Sequence, residues 1–301
     1  MKIFITGTAG QLGHDCVIEA MGRGYEVFSS DVAAQEGGTG PAFYQMDITK
    51  QDDVRKTIEA CRPDAIIHCA AWTAVDAAED EANRAKVHAI NAMGTRYIAE
   101  AAKDVGARML YLSTDYVFNG QGSAPWKPDE TDFAPLNYYG QTKLEGEQAV
   151  AGLLEKFFIV RIAWVFGLNG KNFIKTMINV GRTHDTVRVV DDQIGTPTYT
   201  KDLARLLVDM IGTEKYGYYH ATNAETEPGE YISWADLAEE AYRCAGMKVK
   251  VNRVSTAEYG LSVAARPFNS RLDKSKLAEN GFQELPDWKS AVKRYVIEAG
   301  L

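Results

Sequence analysis

The chain has 301 residues, 46% apolar and 25% charged, with a formal charge of −8 at neutral pH. That length can bury a large core and leaves room for about two domains. The acidic balance argues against nucleic acid as a generic partner but not against a local basic pocket for a small anion, and no apolar run approaches the roughly 18 residues of a membrane span.

Taken in chain order, short apolar runs alternate with helical patterns. Residues 2–6, 25–30, 65–69 and 108–113 read as buried strands, with 42–46 a weaker one. Helices are expected over 12–21, 52–60, 83–105 and 139–154. Such alternation implies right-handed crossovers and a doubly wound parallel sheet of the Rossmann type, in the α/β class. Runs at 157–165 and 187–190 extend the sheet past the middle of the chain. After Gly167 the texture changes: 172–181 and 202–211 look helical, 222–230 is turn-like, and Ser233-Trp234-Ala235-Asp236 resembles a helix cap ahead of 237–244. The expected division is a dinucleotide-binding domain over 1–166, with 186–211 returning to it. A smaller α/β substrate-binding domain would use 167–185 and 212–301.

Three features carry chemistry. Ile5-Thr6-Gly7-Thr8-Ala9-Gly10-Gln11-Leu12-Gly13 joins the first strand to the first helix. Glycines at 7, 10 and 13 allow a tight turn, close approach to a pyrophosphate and close helix–strand packing, so Gly7, Gly10, Gln11, Leu12 and Gly13 are expected against the phosphates. Asp31, ending the second strand, stands near the offset of a ribose-reading carboxylate. It favours NADH without excluding NADPH. Asp47 and Ile48 follow the third strand and are placed to flank an adenine, although an Asp at a helix cap looks the same. Finally, Tyr139 and Lys143, four residues apart on a helix, share a face. A tyrosine with an ordinary pKa of about 10 is a poor acid at neutral pH, and a fixed ammonium nearby is expected to lower it.

The glycine loop, the Tyr-x-x-x-Lys pair and the Ser113-Thr114 at a strand end together resemble the extended short-chain dehydrogenase/reductase family. Within it, four blocks look like the dTDP-4-dehydrorhamnose reductases: Ala70-Ala71-Trp72-Thr73-Ala74-Val75-Asp76, Ser113–Phe118, Arg161–Gly167 and Asp192–Thr198. With Asn172-Phe173 and Arg266-Pro267 they span nearly the whole chain. The resemblance implies hydride delivery from NADPH or NADH to a 4-keto carbon, turning dTDP-4-dehydro-β-L-rhamnose into dTDP-L-rhamnose.

In that scheme Tyr139 donates the proton, Lys143 holds the nicotinamide ribose and Thr114 hydrogen-bonds the same oxygen. Ala70 and Ala71 let backbone approach the cofactor. Trp72 follows where such reductases usually carry histidine, leaving a flat ring in its place. Asp115 would bind a sugar hydroxyl and Trp164 would lie against the sugar. Asn172, Gln193 and Arg266 would face the nucleotide diphosphate, Arg266 equally suiting a structural ion pair. Some members are associated with magnesium at a dimer contact. The glutamates that bind it in those members have no identifiable match here. Separately, the five histidines are scattered and the four cysteines lack metal-ligand spacing and read as reduced.

The expected protein is cytoplasmic, a monomer or homodimer, with a nucleotide sugar as partner and neither nucleic acid nor membrane. Two other readings stay open: a reductase or epimerase of another nucleotide sugar, and a non-catalytic dinucleotide-binding subunit.

Overall fold

Runs such as Ile3-Phe4-Ile5 and Ile66-Ile67 have no polar face, so only a strand covered on both sides can hold them. The computed structural model, which describes residues 1–33 and 42–301, gives them that setting. Strands β1 (Lys2–Thr6), β2 (Glu26–Asp31), β3 (Ala42–Gln45), β4 (Ala65–His68), β5 (Arg108–Thr114) and β6 (Phe157–Ile162) join a seven-stranded sheet. A late strand, Gly217–His220, completes it at the β6 edge. Every pairing is parallel. The order runs Gly217–His220, β6, β5, β4, β1, β2, β3, so the connections reverse direction between β1 and β4. Ligands bind at the carboxyl ends of strands beside such a reversal.

Alternate residues serve opposite faces. Ile3, Ile5, Leu110 and Val160 pack with Cys16, Val17, Leu203 and Leu207 from the helices Gln11–Gly22 and Thr200–Ile211. Phe4, Ile66, Met109 and Ile159 pack with Ile58 of Gln51–Cys61 and Ile98 of Thr95–Val105. The helix expected over 83–105 is in three pieces: Glu81–His88, capped by Asp80, a wider π turn at Ala89–Gly94, and Thr95–Val105. Asn91 in that turn accepts from the Trp72 amide (2.8 Å) and donates to the Trp72 carbonyl and the Thr142 hydroxyl (both 3.2 Å).

The second unit has its own core of Phe166, Ile174, Ile178, Leu237, Trp288, Val292 and Tyr295. Helix Trp234–Cys244 opens on a capping box between Ser233 and Asp236, as its sequence suggests. The boundaries differ from expectation in two places. Thr186–Val190 does not extend the large sheet: it pairs with Lys250–Val254, because Val187 and Val189 bury against Ala238 and Tyr242. Conversely, Gly217–His220 belongs to the large sheet. No helix among the described residues is long and apolar enough to cross a membrane.

Candidate active site

The glycine loop is shaped by contacts that exclude side chains. Gly7 has φ +71°, and a Cβ there would lie 2.6 Å from the Ala70 amide nitrogen. One on Gly13 would run into the Gly7 carbonyl. Gly10 opens helix Gln11–Gly22 with no side chain capping it, so Gln11 and Leu12 start the helix at a positive dipole end suited to phosphate. Asp31 accepts from the Ala9 amide (2.9 Å) and from Ala33 (3.2 Å), clamping the loop to the end of β2. These residues fit a dinucleotide: backbone comes close where a pyrophosphate would lie. Asp47 closes a turn, accepting from the amide and hydroxyl of Thr49 (3.0 and 2.7 Å). Ile48 is buried against Gly94, which has no room for a Cβ beside it.

At the carboxyl end of β5, Thr114 leads into the tight turn Asp115–Val117. Helix Tyr138–Leu153 passes so close that a Cβ on Gly140 would strike the Tyr116 carbonyl. Its start is pinned by Asn137, whose side chain accepts from the Gly140 amide (2.8 Å) and donates to the Ala265 carbonyl (2.9 Å). Glu79 accepts from the Tyr138 amide (2.7 Å). Tyr139 is thereby set edge-on to Tyr116, ring centroids 5.7 Å apart.

Burial raises the Tyr139 phenol pKa, the Asp115 carboxylate and Tyr116 add to the rise, and the Thr114 hydroxyl opposes it. The expected lowering by Lys143 is absent. The Lys143 ammonium instead donates to the Leu112 carbonyl (2.7 Å) and lies 4.1 Å from the Tyr111 ring centre. An ammonium enclosed by protein takes the carbonyl and π face within reach. Burial pushes Lys143 down to about 7, against the pull of Glu147 one turn along.

Asp115 is buried, and burial pushes its carboxyl up to about 6. Its Oδ1 accepts from the Thr114 hydroxyl (3.0 Å). The Ser270 hydroxyl is close enough to hold the rise back, yet Ser270 Oγ and Asp115 Oδ2 complete no hydrogen bond with each other or with anything else. Beside this pair opens a cavity of about 290 Å³, bounded among others by Tyr116, Trp164, Gln193, Trp234, Arg266 and Ser270. Trp164, with a left-handed φ of +50°, stacks on Trp234 at 4.1 Å to form an apolar wall. Opposite in character, Arg266 donates to Asp76 (2.5 Å) and to the Tyr116 hydroxyl (3.1 Å), as an ion-pair partner within the cavity lining. Asp76 also accepts from the amides of Val263 and Ala264 (3.1 and 3.0 Å).

The residues singled out in the sequence thus form two groups. Gly7–Gly13, Asp31, Ala70 and Ala71 gather at the ends of β1, β2 and β4, with Trp72 just beyond, its indole donating to the Ala74 carbonyl (3.0 Å). Thr114, Asp115 and Tyr139 gather beside the cavity that Trp164, Gln193 and Arg266 line. Asn172 joins neither in the manner expected. It caps helix Phe173–Gly181 and donates to Gln11 (3.1 Å), the Gly167 carbonyl and the Tyr295 hydroxyl (both 2.9 Å), away from the cavity lining. Tyr116, Trp234, Ser270 and the Asp76 latch carried no sequence expectation. Ser270 sits three residues beyond the Arg266-Pro267 block, and Asp76 ends the Ala70–Asp76 block. Among the described residues no group of three or more His, Cys, Asp or Glu is placed to hold a metal ion.

Comparison with known proteins agrees with this geometry. A family model described as RmlD substrate binding domain matches residues 1–300. The dTDP-4-dehydrorhamnose reductase of Aggregatibacter actinomycetemcomitans is 39% identical over 97% of both chains. A dTDP-4-keto-6-deoxy-D-glucose reductase of Streptomyces niveus is 35% identical over 96% of this chain and 94% of its own. The crystal structure of dTDP-4-dehydrorhamnose reductase from Bacillus anthracis str. Ames in complex with NADP superposes with a TM-score of 0.89, at 40% identity over 99% of each chain. Glycine loop, parallel sheet and full-length matches converge: the chain belongs to the RmlD substrate binding domain family.

Proposed function

We propose that this protein reduces the 4-keto group of dTDP-4-dehydro-β-L-rhamnose to give dTDP-L-rhamnose, the step that completes activated rhamnose for polysaccharide synthesis. The observation that carries the reading is the placement of Tyr139 with Thr114 and Asp115 beside a cavity walled by stacked tryptophans. A nicotinamide dinucleotide, when bound, supplies the hydride. The glycine loop receives its pyrophosphate on backbone amides. Tyr139, kept protonated by its surroundings, gives its proton only to a strongly basic oxygen, such as the alkoxide that develops at C4. Thr114 turns its hydroxyl proton from Asp115 Oδ1 to that oxygen and so helps to orient it. For Lys143 to reach ribose hydroxyls it exchanges the Leu112 carbonyl for them, and a chain of four methylenes permits this. The Trp164–Trp234 wall suits a deoxysugar's methyl and ring hydrogens. Arg266, already half-neutralised by Asp76, offers its remaining donors to the diphosphate.

The test is oxidation of NADPH and of NADH at 340 nm with the dTDP-4-ketosugar. Tyr139→Phe should lower kcat by about 10²–10⁴ while cofactor binding survives. Full activity in that variant would remove Tyr139 from the mechanism. The Streptomyces niveus relative motivates a second substrate in the same assay. Higher kcat/KM with dTDP-4-keto-6-deoxy-D-glucose would reassign the sugar.

A further inference from the structure

Buried polar atoms in folded proteins nearly always have partners, so each exception asks for a reason. Two exceptions stand side by side here. Asp115 Oδ2 and Ser270 Oγ are both unpartnered, and each residue is about 1% exposed. They come from different units: Asp115 follows β5, whereas Ser270 lies in the short strand Asn269–Ser270. The convergence is held in place from both sides. Asn269 donates to the carbonyls of Gln121 and Ala124 (3.3 and 2.8 Å), tying its strand to the large unit. On the other flank the strand pairs with Ile194–Gly195, where a Cβ on Gly195 would lie 2.9 Å from that of Ser270. Ser270 bounds the cavity, and Thr114 donates to the other oxygen of Asp115.

The chemistry of the pair is complementary. An ionised carboxylate only accepts, while a serine hydroxyl can donate. A ligand hydroxyl that reached both from the cavity would give its proton to Asp115 Oδ2 and receive one from Ser270 Oγ. Because the Asp115 carboxylate is hydrogen-bonded to the Thr114 hydroxyl, the ligand hydroxyl would lie close to the reacting carbonyl. In a 6-deoxy-4-ketohexose, C5 carries the ring oxygen and the methyl, so only C3 presents a hydroxyl there. We infer that Ser270 is a substrate-binding residue that, with Asp115, reads the hydroxyl on the carbon adjacent to the ketone. This rests on the proposed 4-ketosugar reduction and adds to it the residue that selects the neighbouring hydroxyl.

The experiment compares the parent protein and Ser270→Ala on two nucleotides, the dTDP-4-ketosugar and its 3-deoxy analogue. Losing one neutral hydrogen bond should lower kcat/KM for the hydroxylated substrate about three- to tenfold, chiefly through KM. On the analogue the two proteins should agree within about twofold. An equal loss on both nucleotides, or a loss on neither, overturns the assignment. Thermal melting supplies an independent readout. A hydroxyl that completes no hydrogen bond in the fold can be removed at little cost, so Ser270→Ala should melt within about 2 °C of the parent temperature. A variant that melts several degrees lower would show a structural role and overturn the inference. Should the parent reduce neither ketosugar, the functional reading fails on that result alone, and the melting comparison still decides whether Ser270 is held for a ligand.

Discussion

Glu147 touches nothing in the cavity, yet its replacement should be among the most damaging single changes in the large unit. Its carboxylate receives Nε and Nη2 of Arg161 at 2.8 and 2.7 Å, and both side chains are about 1% exposed. Arg161 also donates to the Pro128 carbonyl (3.0 Å), and its guanidinium lies 5.0–5.1 Å from the ring centres of Phe118, Phe133 and Tyr218. Nearby His220 is kept neutral by burial and by that same guanidinium, so it offers no counter-charge. Glu147→Gln preserves the shape and removes the charge, leaving a guanidinium in the interior without an anion. Breaking a buried pair in this way costs about 3–5 kcal/mol. At roughly 2 °C per kcal/mol for a chain of this size, the melting temperature should fall by about 6–10 °C. The assay is a thermal melt followed by circular dichroism at pH 7.5, in low and high salt. The loss should persist at high salt, since a buried pair is poorly screened. Replacing both partners together, with Glu147→Leu and Arg161→Met, should recover part of it. A Glu147→Gln protein melting within about 2 °C of the parent would refute the reasoning.

Two further outcomes follow from the site's protonation. Asp115, raised to about 6 from an ordinary 3.8, contributes stability that is present at low pH and lost as pH rises through about 6. At about 1.4 kcal/mol per pH unit, Asp115→Asn should therefore stabilise the fold by up to about 3 kcal/mol at pH 7.5 and by little near pH 4, while impairing turnover; melts at the two pH values check the sign. For Lys143 the shift runs the other way. With a free-protein pKa of about 7, a ligand that binds the ammonium should have a dissociation constant flat below that pH, rising up to tenfold per unit above it. Titrations of the reduced dinucleotide by fluorescence should show that break in the parent and none in Lys143→Met.

Features set by local periodicity or by a turn's steric needs were legible in the sequence. The strands through Ile5, Ile67 and Leu110, the loop needing glycine at 7 and 13, and the shared face of Tyr139 and Lys143 all depend on residues close in the chain. The side-chain partners did not follow. Lys143 was expected to act on Tyr139, but a carbonyl of β5 and the Tyr111 ring compete for the ammonium, and neither is adjacent in sequence. Asn172 kept its place at a helix start, but its amide turned to Gln11 and Tyr295. The strand at Thr186–Val190 was visible as an apolar run, whereas its sheet depended on Lys250–Val254, some sixty residues on. Helix 83–105 concealed a π turn because residues 89–94 contain no proline to interrupt the helical pattern. Nothing local announces that Asp115 will meet Ser270, or Asp76 will meet Arg266.

The edge strand Gly217–His220 bears on how this protein comes into being. Emerging from the ribosome, the chain completes β1 to β6 long before it supplies the neighbour of β6. For some fifty residues of synthesis, that strand's outward backbone groups face solvent or any other extended chain nearby. The cavity waits longer still, since Arg266 and Ser270 are made last among its principal walls. A fragment cut after residue 211 would keep the glycine loop and Tyr139 yet carry an open sheet edge, prone to association between copies. The two units are therefore interlaced by one thread, and a single cut between them in the chain leaves the large sheet short of its seventh strand.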